Sequence, residues 1–472
     1  MSTNDTALIA HLMRRAGFGA RYDEIEALAE RGYDATVDWL LNPVGEPETD
    51  DDITLRFTPM HVEPQGFVGP ASRWLYRILN TKRPLEEKMT LFWHCVLATG
   101  FSKLNSGTAM WRHYEMLHAH AMGNFRELLL QISRDPAMIY WLDNCDNHDG
   151  TPNENYGREL MELFSMGIGN YTEDDVKMAA RAFTGWTYTD PLPRVPYLFY
   201  HPSFEYRDWD HDDSEKTFLG EKGNFNGEDI IDIIVKQPAT GQFLGRHLYN
   251  FFVADEPQVP AWPYTPPNDP DAVNTLAQAY IDSGYEMKPV LETLFKSDFF
   301  KEARFKKVKS PLELVSNTVR MTGDYNVEMG TFPKHGLTGL ANTVGFMGQQ
   351  IFNPPSVEGW HTGKEWIDSG ALVQRVNFAA DQVGDAEMPG VRMILDRLAS
   401  DDASMSPEGL VDGCLRLMGD IELEEDTHEA LVQHAAGSGA LRADSAEDRG
   451  RFEERATEMM QLIVATPEYQ SE

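Results

Sequence analysis

Residues Asn153 to Trp186, NENYGRELMELFSMGIGNYTEDDVKMAARAFTGW, decide the fold. Tyr156, Leu160, Leu163 and Phe164 recur at spacings of three and four, which predicts one buried face of a helix beginning after Pro152. Glu154, Arg158 and Glu162 fall four apart and form a second stripe on the same helix, with Glu159 at the border of the two faces. Gly167 and Gly169 stop the helix, because glycine enters the left-handed region without steric cost. Thr172 can cap a second helix, and Glu173, Asp174 and Asp175 suit its positive start. That helix turns Val176, Ala179, Ala180 and Phe183 inward and ends at Gly185-Trp186. The plainer account is a helical hairpin whose Glu–Arg ladder faces water, each pair contributing only ~0.2–0.5 kcal/mol. The alternative is a reactive cluster, because Asp143, Asn144 and the run Asn147 to Asn155 place Asp, Asn, His and Glu just before the first helix.

On the N-terminal side, helices are expected over 7–16, 22–31, 33–41, 71–79 and 85–97. The last is strongly apolar and carries His94, which is either a satisfied core residue or a ligand. A polar-rich helix over 108–122 carries His113, Glu115, His118 and His120. Residues two apart on a helix point to different sides, so a metal site must recruit several helices. On the C-terminal side the texture changes between Thr187 and Gly227. Strands are expected at 197–200, 204–207 and 216–219, with a turn at His211-Asp212-Asp213 joining the last two. This excursion is either a polar hairpin tip or a lid carrying His211 and Lys216. Helices resume from 228. The run Asn353 to Trp366 holds two prolines, two glycines and two tryptophans and must be a rigid aromatic loop. Trp360 there is either a core plug or a stacking platform, with Lys364 beside it.

The formal charge of −34 argues against nucleic acid, which needs basic patches, and against an anionic membrane surface. Three cysteines make no disulfide framework. No segment is apolar enough to span a bilayer, and no basic-then-apolar leader is visible, so the expected location is the cytoplasm. There is no Gly-rich phosphate loop, no His-Glu-x-x-His pair and no Gly-x-Ser-x-Gly elbow.

Several stretches resemble one family. They are the NENxxRELxELF, GxGNYTE and ARAFTGW runs of the opening segment, HLMRRAGFG at 11–19, LFWH at 91–94 and DPAMIYWLD at 135–143. KTFLG at 216–220, KSPLE at 309–313 and PPSVEGWHTGKEW at 354–366 follow in order. Together they resemble the bacterial family known as domain of unknown function 1800, up to about Arg375. The resemblance implies a mainly helical protein, frequent export, and a protein partner from a neighbouring family similar to sulfatases and phosphatases. Relatives carry a second histidine shortly after the one matching His94, where this chain has Val96 or a neighbour.

The expectation is a mainly α protein: a helical domain over 1–385 with a small antiparallel β insertion near 187–227, then an acidic helical subdomain over 386–472. The functional expectation is a hydrolase-type enzyme acting on a polar or glycan-like substrate. Glu154, Arg158, Glu159 and Asp143 are the catalytic candidates. Asn144, Asn155, His211, Lys216, Trp360 and Lys364 are the candidate substrate contacts. His94, His120 and Glu162 could hold a divalent metal, since carboxylates and imidazoles from several helices suit one. The alternative is a non-catalytic binding or assembly protein whose Glu–Arg network fixes helix register.

Overall fold

The computed structural model describes residues 3–50, 66–189, 202–331, 336–401, 405–437, 441–443 and 445–472. Among them are 23 α-helices and two small two-stranded antiparallel sheets, so the fold is mainly α with a small β insertion. The strand expected at 197–200 lies outside the described residues. No helix among the described residues is long and apolar enough to cross a membrane.

Local chemistry sets the helix starts. Thr172 accepts from the Asp175 N–H while Asp175 accepts from the Thr172 N–H, a reciprocal box that opens the Glu173–Ala182 helix. Ser310 and Glu313 do the same for Pro311–Thr322, with proline in the first turn, where no N–H is needed. Gly167 and Gly169 have φ of 79° and 94° and end the turn after Asn155–Glu162.

Two of the expected strands exist, but with other partners. Phe204–Tyr206 pairs with Trp186–Tyr188, and Lys216–Phe218 pairs with Glu221–Gly223. A 3-10 turn over Asp208–Asp210 separates them. The second hairpin turns on Leu219 and Gly220, at φ 46° and 84°, a pair of left-handed residues that matches strand twist. The unusual leucine is held by its N–H, which donates to Asp175 Oδ1 at 2.7 Å.

Two apolar clusters organise the interior. One gathers residues from Ile9 to Ala303, including the inner faces of Asn155–Glu162, Glu173–Ala182 and Pro238–Phe252. The other joins Val68–Asn80 and Pro311–Thr322 to helices beyond 369, down to Tyr469. The 386–472 stretch therefore shares its core with residues from much earlier in the chain. Its Ala446–Val464 helix packs on Ser369–Val383. The Pro84–Val96 helix serves both clusters, through Met89, Phe92 and Trp93 on one side and Leu91 on the other.

Candidate active site

The Asn155–Glu162 helix is pressed against Glu173–Ala182. A Cβ on Gly157 would meet the Ala180 nitrogen at 3.1 Å and the Ala179 Cβ at 3.2 Å, so a larger residue would push the two helices apart by a few tenths of an ångström. Tyr156 is buried and its hydroxyl bonds Ser133. This packing leaves Glu154, Arg158, Glu159 and Glu162 on the outer side.

Arg158 makes a bidentate fork to Glu173 at 2.7 and 2.9 Å and reaches Glu154 at 3.2 Å. The Glu154–Arg158 rung expected from spacing is made, and a second pair from Arg158 crosses the hairpin to Glu173. Glu162 instead accepts from the Tyr171 hydroxyl at 2.8 Å. Glu173 is 67 % exposed, so these pairs are surface pairs of small worth. Glu159 differs from its neighbours. Its carboxyl has no hydrogen-bond or ion-pair partner among the described residues. Burial, then the charge of Glu162, push its pKa up to about 7; Arg158 opposes this and Glu358 adds to it.

The lead-in is a stitched turn. Asn144 is buried and donates to the Trp186 carbonyl at 2.9 Å. Asn147 donates to Asn144 and to the Ala180 carbonyl, and accepts from the Asn153 N–H. The Asn155 N–H donates to Asn153, and the Asn155 side chain is exposed. Asp143 adopts φ 58° and pairs with Lys103 at 2.5 Å. His211 is buried with Nδ1 on the Thr184 carbonyl, and Lys216 donates to the carbonyls of Asp212 and Ser214. Those two side chains hold the insertion together internally.

His94 sits in the core between Trp74, Phe352 and Trp360, with ring centroids 5.3–5.5 Å away. The Phe352 N–H donates to His94 Nε2, so the ring is neutral with its proton on Nδ1; burial lowers its pKa to about 3. His120 ends the Gly107–His120 helix, and Glu162 belongs to the hairpin. Among the described residues no group of three His, Cys, Asp or Glu side chains is disposed to hold a metal ion.

A cavity of about 60 Å³ has Phe92, Phe251, Trp360 and Trp366 in its wall. Glu358, 40 % exposed, marks its rim and is close enough for Glu159 to feel its charge. Phe243 links hairpin and cavity: it packs on Gly167 at the hairpin turn and meets His247 of the cavity wall edge-on. At the inner end Lys307 pairs with Glu313 at 2.9 Å and with Glu472 at 3.4 Å, and Lys88 completes the cluster. Gln258 donates to the Thr362 carbonyl and accepts from its N–H, clamping the 255–270 loop onto the Trp360 loop. Trp360 is buried yet lines this cavity, whereas Lys364 is exposed.

Sequence reasoning passed over Glu358, although it stands in the quoted 354–366 run. It also passed over Glu87, a buried carboxylate that accepts from Trp74, Arg77 and Tyr114 and contacts His118. A glutamate at helical spacing looks like any solvated one until its partners from other helices are known. A larger cavity of about 240 Å³ lies near Arg21, Lys82 and Arg320. Its three cations are already engaged: Arg21 with Asp23, Lys82 with Glu328, and Arg320 with three backbone carbonyls.

No curated protein and no solved structure matches the chain. One family does match, over residues 11–471, well past the Arg375 limit of the quoted motifs. With that match covering nearly its whole length, the chain belongs to the family described as "Protein of unknown function (DUF1800)".

Proposed function

We propose that the protein is a hydrolase-type acid–base enzyme acting on a glycan-like substrate at the Glu159–Glu358 rim of the aromatic cavity. The observation that carries this is the Glu159 carboxyl, unpaired and with a pKa raised to about 7. A carboxyl of that kind is populated in both protonation states near neutrality, as a general acid requires. Glu159 donates its proton to the leaving oxygen as the C–O bond breaks. Glu358 accepts the proton of the attacking water, whose oxygen forms the new bond. Arg158 limits how far the pKa of Glu159 rises, and Glu154 and Glu173 hold Arg158 in place. Trp360 and Trp366 offer flat faces to the substrate.

Incubation with a panel of oligosaccharides, read by mass spectrometry, tests this. Glu159→Gln should abolish cleavage at an unchanged fold. Retained cleavage in that variant, or none of any glycan by the wild type, would reject the assignment.

A second reading is a non-catalytic assembly protein. It is favoured by how many of the polar side chains are engaged in holding the fold, among them Asn144, His211 and Lys216. Its partner would be a protein of the neighbouring sulfatase-like family. Co-purification of the two, unaffected by Glu159→Gln and without any turnover, would favour it.

A further inference from the structure

Two amides of the cavity wall have their orientation dictated from behind. The Leu312 N–H donates to Gln349 Oε1 at 2.8 Å, and the Glu256 N–H donates to Asn250 Oδ1 at 2.9 Å. A backbone N–H can only donate, so each side-chain oxygen is fixed and each NH2 faces the other way. Neither NH2 has an acceptor among the described residues, although Gln349 is 2 % exposed, and both residues line the cavity. Neither nitrogen is sealed off, so each NH2 is free to donate to an acceptor oxygen placed in the cavity.

The remaining wall narrows the ligand. Lys307 is already neutralised by Glu313 and Glu472. Glu358 at the rim repels an anion. The acceptor is therefore neutral, and an amide carbonyl, the strongest of the neutral acceptors, suits it best. Trp360, Trp366 and Phe251 favour an apolar group beside it. The volume, about 60 Å³, holds about four to six water-sized centres at roughly 10–15 Å³ each. An acetamido group, with four heavy atoms, has this size and chemistry.

We propose that the cavity binds the acetamido group of an N-acetylated amino sugar. Its carbonyl accepts from Gln349 Nε2 and Asn250 Nδ2, and its methyl packs against the two tryptophans. This rests on the glycan reading above and names its substrate class: the sugar ring then lies at the rim, where Glu159 and Glu358 flank it.

Saturation-transfer NMR with N-acetylglucosamine, glucose and glucosamine tests the assignment, with affinities from calorimetry. Only N-acetylglucosamine should bind, with the strongest transfer to its methyl. Gln349→Glu keeps the acceptor for Leu312 and, once ionised, removes the donor, so affinity in the folded variant should fall on the order of tenfold or more above neutral pH. Asn250→Asp is the parallel variant should the first fail to fold. Equal binding of glucose, or unchanged affinity in the folded variants, overturns the proposal. The two readings fail separately. Glu159→Gln should still bind N-acetylglucosamine, so binding without Glu159-dependent cleavage removes the enzyme and keeps the site. Glu159-dependent cleavage of glycans indifferent to the acetyl group does the reverse.

Discussion

Glu159 and Glu313 show opposite fates of a partly or fully buried carboxyl. Glu159 lacks a cation in contact, so burial and Glu162 raise its pKa to about 7. Its folded value lies above the unfolded one, so folding favours the protonated form. The protein loses stability as pH climbs from about 4.5 to 7, then levels off. Glu159→Gln, a mimic of the protonated form, should therefore melt like the wild type near pH 4.5 and at a higher temperature near pH 8. An identical difference at both pH values would refute the raised pKa. Burial alone would raise Glu313 too, but Lys307 and Lys88 at 2.9 and 2.5 Å hold it well below the usual carboxylate range. Glu313→Gln leaves two buried ammoniums short of a partner and should cost about 3–5 kcal/mol in urea unfolding. A loss under 1 kcal/mol, roughly what a surface pair is worth, would show that the ammoniums find other partners. Neither fate could be read from the chain. The four-residue spacing of Glu154, Arg158 and Glu162 shows which side chains share a helix face, yet Arg158 turns to Glu173 on the next helix. Lys88 and Glu313 are 225 positions apart.

At the scale of elements, the hairpin was legible because each device is local. The spacing of Tyr156, Leu160 and Phe164 gives the buried face, Gly167 and Gly169 the stop, Thr172 the cap. The β insertion was legible only as strand-like texture. Its pairing depends on a Leu219-Gly220 turn that lacks the Asn-Gly signature, and on Trp186 at the end of a helix serving as strand. The aromatic loop was recognised from its Pro, Gly and Trp content, but that the charge of Glu358 reaches Glu159 is visible only in three dimensions. The helix crossing makes a direct test. Gly157→Ala puts a methyl 3.1 Å from a backbone nitrogen that cannot move without its helix. It should destabilise by about 1–3 kcal/mol, despite the better helix propensity of alanine. A gain in melting temperature would mean that the two helices are free to separate.

On the scale of the molecule, a net charge of −34 leaves a surface that repels itself. Such repulsion is screened over about 8–10 Å at physiological ionic strength. Raising NaCl from about 0.05 to 0.5 M should therefore raise the melting temperature, and a fall would mean that favourable surface pairs outweigh the repulsion. The same charge was visible at once in composition, whereas the division into two apolar clusters was not, since each cluster draws on distant segments. Where those clusters meet, Lys88 on the helix common to both reaches Glu313 in the second, and Lys307 closes on the same carboxylate. Oil slides on oil, but a charged rivet does not. Prising one half from the other would strand three ionised groups in a seam that water enters last. The halves should thus hold or fail as one body, and a domain cut between them would not yield two working pieces.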